Sequence, residues 1–292
     1  MADRIMYLIA NHRICIVGDD EVAMLRTMPG FPVFEVPSTD EPEWLIEFGH
    51  QIEVPEHWTE LYSFISDVDE SQSVFARSED AYYFMMKTVG SDAKPLLMRY
   101  RGGNVVEATI GIDPLLLRFA LWMAVSLLSA SSKMVLIHSS VIVHQNKAVL
   151  FLGESGTGKS THTRLWLKHI PDAHLLNDDS PILAVEDGVP VVYGSPWSGK
   201  THCYHQLRFP LAAAVRLSQA PYNKIRRLSV VEAFSAMQPS CPPALAQDEK
   251  YEDMVVDMLS DVLTVAPVFH LECLPDEAAA WTSHDAIFKA VN

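Results

Sequence analysis

Long apolar runs are missing from this chain of 292 residues. The longest candidate, LLLRFALWMAVSLLSA from Leu115 to Ala130, falls short of the roughly 20 residues that span a bilayer. It also carries Arg118, so it reads as a buried amphipathic helix, and no membrane partner is expected. Positive charge is scarce: 22 Lys and Arg stand against 37 Asp and Glu, a net charge of −15. Broad binding to nucleic acid or to an anionic membrane needs a cationic surface, so neither fits. A local basic pocket for a nucleotide is still allowed. Cysteine is sparse: Cys15, Cys203, Cys241 and Cys273 are scattered, with no C-x-x-C pair. That argues against a disulfide framework or a zinc site and fits reduced thiols in the cytoplasm. The opening MADRIMYLIANHR has neither a long apolar core nor a small-residue cleavage site, so no signal peptide is expected. Internal repeats and low-complexity segments are absent too.

What remains is an ordinary globular composition, 49% hydrophobic, long enough for one large or two modest domains. Residues 1–112 show short segments broken by Pro, Gly and Asp. RICIVG, FPVFEV, AYYFMMKTV and KPLLMRYR read as strands, with a hairpin turn at Arg101 to Asn104. This stretch reads as a small antiparallel, mainly β domain with no motif that carries chemistry. Residues 113–292 form the second expected domain. Asp113 and Pro114 suit the N-cap and first position of a helix running to about Ala130. MVLIHSSVIVH and AVLFL read as two strands turning at Gln145 to Lys147. KSTHTRLWLKHI reads as a helix closed by Pro171, HLLN as a strand, and PILAVEDGVPVVYG as a hairpin around Glu186 to Gly188. LAAAVRLS is strand or helix, with its alanines favouring helix. SVVEAFSAM, DEKYEDMVVDMLSDVL and the final PDEAAAWTSHDAIFKAV read as helices, and VFHLECL as a strand.

Between AVLFL and the following helix stands GESGTGKST, Gly153 to Thr161. It fills the pattern G-x-x-x-x-G-K-[ST] with Gly153, Gly158, Lys159 and Ser160. Glycines let the backbone turn tightly and aim several N–H groups at one anion. The helix that follows adds its partial positive charge. Lys159 supplies a full charge to the outer phosphates, and the Ser160 hydroxyl suits Mg²⁺. A chance match in a chain of this length is about a one-in-a-hundred event from average composition. Its position between a strand and an amphipathic segment makes chance rarer still. The cradle is Gly153, Glu154, Ser155, Gly156, Thr157, Gly158, Lys159, Ser160 and Thr161, and the cofactors expected are ATP or GTP with Mg²⁺. About 20 residues later LLNDDSP puts Asp178 and Asp179 at a strand end. One acid can hold Mg²⁺ with Ser160 while the other accepts a proton from an attacking hydroxyl. Asp-Asp-Ser-Pro is also good turn chemistry.

Taken together, IHSSVIVHQNKAVLFLGESGTGKST and LLNDDSP resemble the catalytic domain of HPr kinase/phosphorylase. That family shares its nucleotide-binding core with ATP-dependent phosphoenolpyruvate carboxykinase. The resemblance covers roughly Val135 to Val185, is faint beyond, and is absent before Asp113. It implies an α/β or α+β fold, with a carboxykinase-like mixed β core and flanking helices. It implies that His138, on a strand, interacts with the catalytic acid, Asp178. It makes Asp178 the base and Asp179 the acid near the metal. The family's Arg-Gly signature beyond the Asp pair is missing, and YGSPWSGK, Tyr193 to Lys200, stands there instead. HPr as substrate and phosphorylase activity therefore do not carry over. Relatives that phosphorylate free or peptide serine fit better.

The expected activity is transfer of the γ-phosphoryl group to a serine-type hydroxyl of a small molecule, peptide or protein, with Lys159, His138 and Asp178 catalytic. A nucleotide-gated regulatory protein with slow hydrolysis is the alternative from another class. A carboxykinase-like lyase is a third, disfavoured by the short chain. Lys200, Ser198 and Trp197 are candidate substrate contacts, a loop of turn residues being the default reading. Arg226 and Arg227 read as a solvated pair on a strand, with contacts to phosphates as the alternative. His202, Cys203 and His205 lack the spaced second pair of a zinc site. The partners expected are a nucleotide and a hydroxyl-bearing acceptor, and a homo-oligomer is compatible with the sequence.

Overall fold

The computed structural model describes residues 2–38, 41–65, 70–111, 113–199 and 201–289. It is a mixed α/β structure with two large mixed sheets, and it divides into two compact units. The first unit holds residues 1–132 and 243–251. The second holds 133–242 and 252–292. The division falls 20 residues beyond the expected boundary at 112/113, because the helix expected to open the second domain groups with the first.

The first unit begins with a hairpin, β1 (Arg4–Ile9) and β2 (His12–Val17). Ala10 and Asn11 turn it with φ of 48° and 64°, the left-handed pair that a two-residue hairpin loop requires. Then come α1 (Asp19–Leu25), β3 (Glu35–Val36), β4 (Trp44–Glu47), β5 (Thr59–Ile65), β6 (Ser71–Arg77), β7 (Tyr82–Thr88), β8 (Leu96–Tyr100), β9 (Val105–Ala108) and α2 (Pro114–Ala130). One nine-stranded sheet results, in the order β3-β1-β2-β4-β9-β8-β7-β6-β5. It is larger than the small unit expected, and β4 runs parallel to both neighbours. FPVFEV is not one strand. Phe31–Phe34 winds into a 3₁₀ turn with Pro32 in its first positions, where proline's fixed φ and missing N–H are tolerated. Asp113 caps α2 as its sequence suggests, accepting from the N–H groups of Leu115 and Leu116. From the distant segment 243–251 comes Asp248, whose buried carboxylate accepts from Arg77 Nη1 at 2.7 Å and Tyr82 Oη at 3.0 Å.

The second unit carries β10 (Met134–Leu136), β11 (Ser139–His144), β12 (Lys147–Leu152), α3 (Lys159–His169), β13 (His174–Asp179), β14 (Ile182–Glu186), β15 (Val189–Tyr193), β16 (Arg208–Gln219), β17 (Lys224–Arg227), α4 (Val230–Met237), α5 (Glu249–Val265), β18 (Val268–Cys273) and α6 (Glu277–Phe288). Residues 249–251 of α5 group with the first unit. The sheet runs β10-β14-β15-β16-β12-β11-β13, with β18 also on β16 and β17 on β18. Strand β16 settles the ambiguity of LAAAVRLS. It is parallel to both β12 and β18, and a central strand covered on both faces shows no two-residue alternation. Alternate residues of β12 feed two cores. Ala148, Leu150 and Leu152 meet Ala233 and Met237 of α4 and Met258 and Leu259 of α5. Val149 and Phe151 meet Trp166 of α3 and Ala280 and Ile287 of α6. MVLIHSSVIVH is two strands rather than one. At Ile137 and His138 the backbone leaves the ladder, and their N–H groups donate to Pro181 O and Ser240 O. Among the described residues, no helix is long and apolar enough to cross a membrane. All four cysteines are free.

Candidate functional site

The apolar strand β12 delivers the chain to the loop at Gly153 and α3 takes it away at Lys159. Gly156 and Gly158 adopt φ of 81° and 105°, a region that side chains strongly disfavour. The N–H groups of Lys159, Ser160 and Thr161 lie in the first turn of α3, where no intrahelical acceptor exists. Loop and helix therefore present donors and the positive end of the helix together. Thr157 holds the bend, donating its hydroxyl to Glu154 O at 2.8 Å.

Lys159 is folded back on the loop. Its Nζ donates to Gly153 O at 2.7 Å and Glu154 O at 3.2 Å, and lies 3.0 Å from His138 Nε2. Burial lowers its pKa below the usual lysine value; Asp179 and Asp178 work against that shift, and Arg216 adds to it. An ammonium has no lone pair, so His138 Nε2 accepts and the imidazole proton sits on Nδ1. Nδ1 in turn lies 3.3 Å from Asp179 Oδ1. His138 thus bridges Lys159 and Asp179. It does not meet Asp178, the partner the resemblance implied, and it sits in the break between β10 and β11 rather than on a strand.

Asp178 has other partners. Its Oδ1 accepts from Ser140 Oγ at 2.7 Å and Ser160 Oγ at 3.1 Å, and the residue is 6% exposed. Register explains the first contact: Ser140 on β11 stands directly opposite Asp178 on β13, as Ser139 stands opposite Asp179. Asp179 is more open. Its Oδ2 accepts from Ser180 Oγ at 3.1 Å. One cavity of about 470 Å³ is lined by His138, Lys159, Ser160, Arg164 and both acids, with Gly199 on its wall.

The loop after β15 builds that wall. Gly199 N–H donates to Asp178 O at 2.7 Å, and Ser198 bridges Asp179 in a short antiparallel pairing. Ser195 is fully buried and hydrogen-bonds Ser180 O and Trp197 O, while Asn177 Nδ2 also donates to Trp197 O. Trp197 is 4% exposed and belongs to the core, so it does not present a face to substrate. Ser198 donates its hydroxyl to Thr201 O at 2.5 Å, which makes it a brace for the loop. Lys200 lies outside the described residues. Arg226 pairs with Glu232 at 2.9 Å. Among the described residues there is no cluster of three or more His, Cys, Asp or Glu that could hold a metal.

Two contributors had no sequence signal. Ser140 reaches Asp178 only through the β11–β13 register. Arg216 sits opposite Leu152 in the β12–β16 register, 3.7 Å from Glu154 of the loop. No protein-family model matches this chain, and no curated protein matches it.

Proposed function

We propose that the second unit is a nucleoside-triphosphate-dependent kinase that transfers the γ-phosphoryl group to a hydroxyl acceptor, and that its core is of the phosphoenolpyruvate-carboxykinase-like kind. The observation that carries this reading is the convergence of the loop lysine, its serine and two acids on one cavity. Simple retention of a nucleotide needs one acid near the loop serine. A transfer to an alcohol needs a second, open to the acceptor.

The contacts favour roles opposite to those the sequence suggested. Asp178 shares its Oδ1 with Ser160, the hydroxyl suited to Mg²⁺. Its Oδ1 is already taken up by two hydroxyls, and the residue is buried away from an incoming acceptor. Asp178 is accordingly the metal-side acid. Asp179 is the base, aimed by Ser180 and His138. The donors present, a serine hydroxyl and two carboxylates, are the hard oxygen set that Mg²⁺ takes alongside phosphate and water. Mg²⁺ bound there would neutralise charge on the outer phosphates. Lys159 leaves Gly153 O and Glu154 O to meet the nucleotide, and the N–H groups at the start of α3 face the same anion. His138 keeps the Asp179 carboxylate turned toward the cavity while the acceptor proton is taken.

The test uses γ-labelled ATP and GTP with Mg²⁺ and pools of small hydroxy compounds and serine peptides. Label should pass to an acceptor with wild type. Asp179→Asn should lower turnover about 10²- to 10⁴-fold, the usual share of a general base, with nucleotide affinity kept. Asp178→Asn should instead raise the Mg²⁺ concentration needed. The opposite pattern would return the base role to Asp178. Label released only as inorganic phosphate, equally from wild type and both variants, would overturn the kinase reading in favour of a nucleotide-gated binder.

A further inference from the structure

The phosphate loop separates two cavities. The polar one holds Lys159, Ser160, Asp178 and Asp179. The other, about 550 Å³, lies on the far side of the loop and is walled by Leu165 of α3, Leu217 of β16 and Ala220 just past it, Cys273 at the end of β18, and Leu274 and Pro275 after it. Gly156, Gly158 and Thr161 line both, so the loop and the first turn of α3 form a shared ridge. The volume is within the range of small-molecule sites, and mostly apolar walls are usual for them.

We infer that this second cavity takes the nucleobase and ribose of the nucleotide whose phosphates occupy the first. The inference rests on the nucleotide reading above and adds where the rest of the molecule goes. Three observations lead there. The γ end of a triphosphate must lie by Lys159 and the two acids, so the α end lies along the ridge toward Gly158 and Thr161. The floor by Asp179 and Gly199 has to stay open for the acceptor, so a nucleoside on that side would block the reaction it serves. The ridge's other slope is apolar, and a purine gains by leaving water for such walls.

The polar side chains on that slope already have partners. Thr157 donates to Glu154 O, His162 Nε2 lies 3.0 Å from Ser283 Oγ, and the Thr161 hydroxyl accepts from Arg164. Gln219 Nε2 donates to Gly156 O at 3.3 Å and ties the far rim of the cavity to the loop itself. The cavity therefore holds its occupant by shape and apolar contact, and its rim is mechanically joined to the phosphate cradle.

Calorimetry on the full chain with Mg²⁺ tests this by comparing ATP with inorganic tripolyphosphate, which carries the phosphates alone. Ala220→Trp fills the cavity from its partly exposed rim. It should weaken ATP at least tenfold and leave tripolyphosphate within twofold, whereas Lys159→Ala should weaken both. A second measurement needs no variant. Cys273 is the least buried of the four cysteines and lines the cavity, so its alkylation, followed by mass spectrometry, should slow at least fivefold with ATP and not with tripolyphosphate. ATP that binds, depends on Lys159, and leaves Cys273 unprotected would overturn the inference while the nucleotide reading stands. Failure of both ligands to bind wild type would overturn that reading and the inference with it.

Discussion

His162 offers a test of the structure that needs no substrate. It lies in the first turns of α3, buried against the Phe151 ring at 4.8 Å between centroids, with Nε2 3.0 Å from Ser283 Oγ. Ser283 also accepts from Trp166 Nε1 at 2.9 Å and can donate to Ala280 O at 3.0 Å, so a neutral imidazole with its proton on Nε2 satisfies every group. Burial pushes the imidazole pKa from 6.5 down to about 4. Unfolded, the side chain takes its proton near pH 6.5; folded, only near pH 4. Between these values the unfolded chain binds more protons, so this contribution to stability is complete above pH 6.5 and falls as the pH drops toward 4. In full it amounts to about 3 kcal/mol, and about 2 kcal/mol is lost by pH 5. His144, packed beside His284, is also pushed down by burial and adds to the wild-type slope. The contrast with His162→Gln isolates one group. Urea unfolding at pH 7.5 and pH 5 should show the variant losing about 2 kcal/mol less than wild type across that interval. Equal losses in the two proteins would refute the buried neutral histidine and the packing of α3 on α6 that creates it.

Other changes have separate readouts. Ser140→Ala removes one of two hydroxyls from Asp178 and should raise the Mg²⁺ requirement several-fold without changing melting by more than a few degrees, as thermal scans and activity against Mg²⁺ would report. Gly194→Ala sets a Cβ against the carbonyl oxygen of His205, a backbone atom that cannot swing aside; overpacking of this kind costs about 1–3 kcal/mol or more, visible as a lowered urea midpoint. Arg77→Ala leaves the buried Asp248 carboxylate without its cation, and should lower stability by about 1.5–3 kcal/mol in the same assay. His138→Gln should cut turnover, since it touches both Asp179 and the loop lysine Lys159; unchanged turnover would remove His138 from the positioning role.

The glycine turn between β12 and α3 was legible because its geometry is local. Glycines at Gly156 and Gly158 and a helix starting at Lys159 are all written within nine residues. The Asp pair was legible as a strand end for the same reason. What each acid touches was not, because register decides it: Ser140 faces Asp178 through the β11–β13 ladder, and His138 turns to Asp179 where the chain breaks between β10 and β11. Trp197 was ambiguous in a Gly-Ser-Pro loop, since its placement depends on Asn177 of β13, distant in sequence, holding its backbone carbonyl together with Ser195 of the same loop. Strand β16 hid behind its alanines. Helix propensity is a weak prior, and two parallel neighbours outweighed it.

The segment 243–251 has a consequence for the order in which the protein can be completed. It groups with residues 1–132, yet more than a hundred residues of the other unit precede it in the chain. Asp248 and Tyr251, which meet Arg77 and Tyr82, leave the ribosome only after most of the second sheet has been made. The unit that begins first must therefore wait for most of the other to be made before it can finish. A fragment ending at residue 132 would display the Arg77 and Tyr82 surface bare, and only a chain reaching residue 251 can close it.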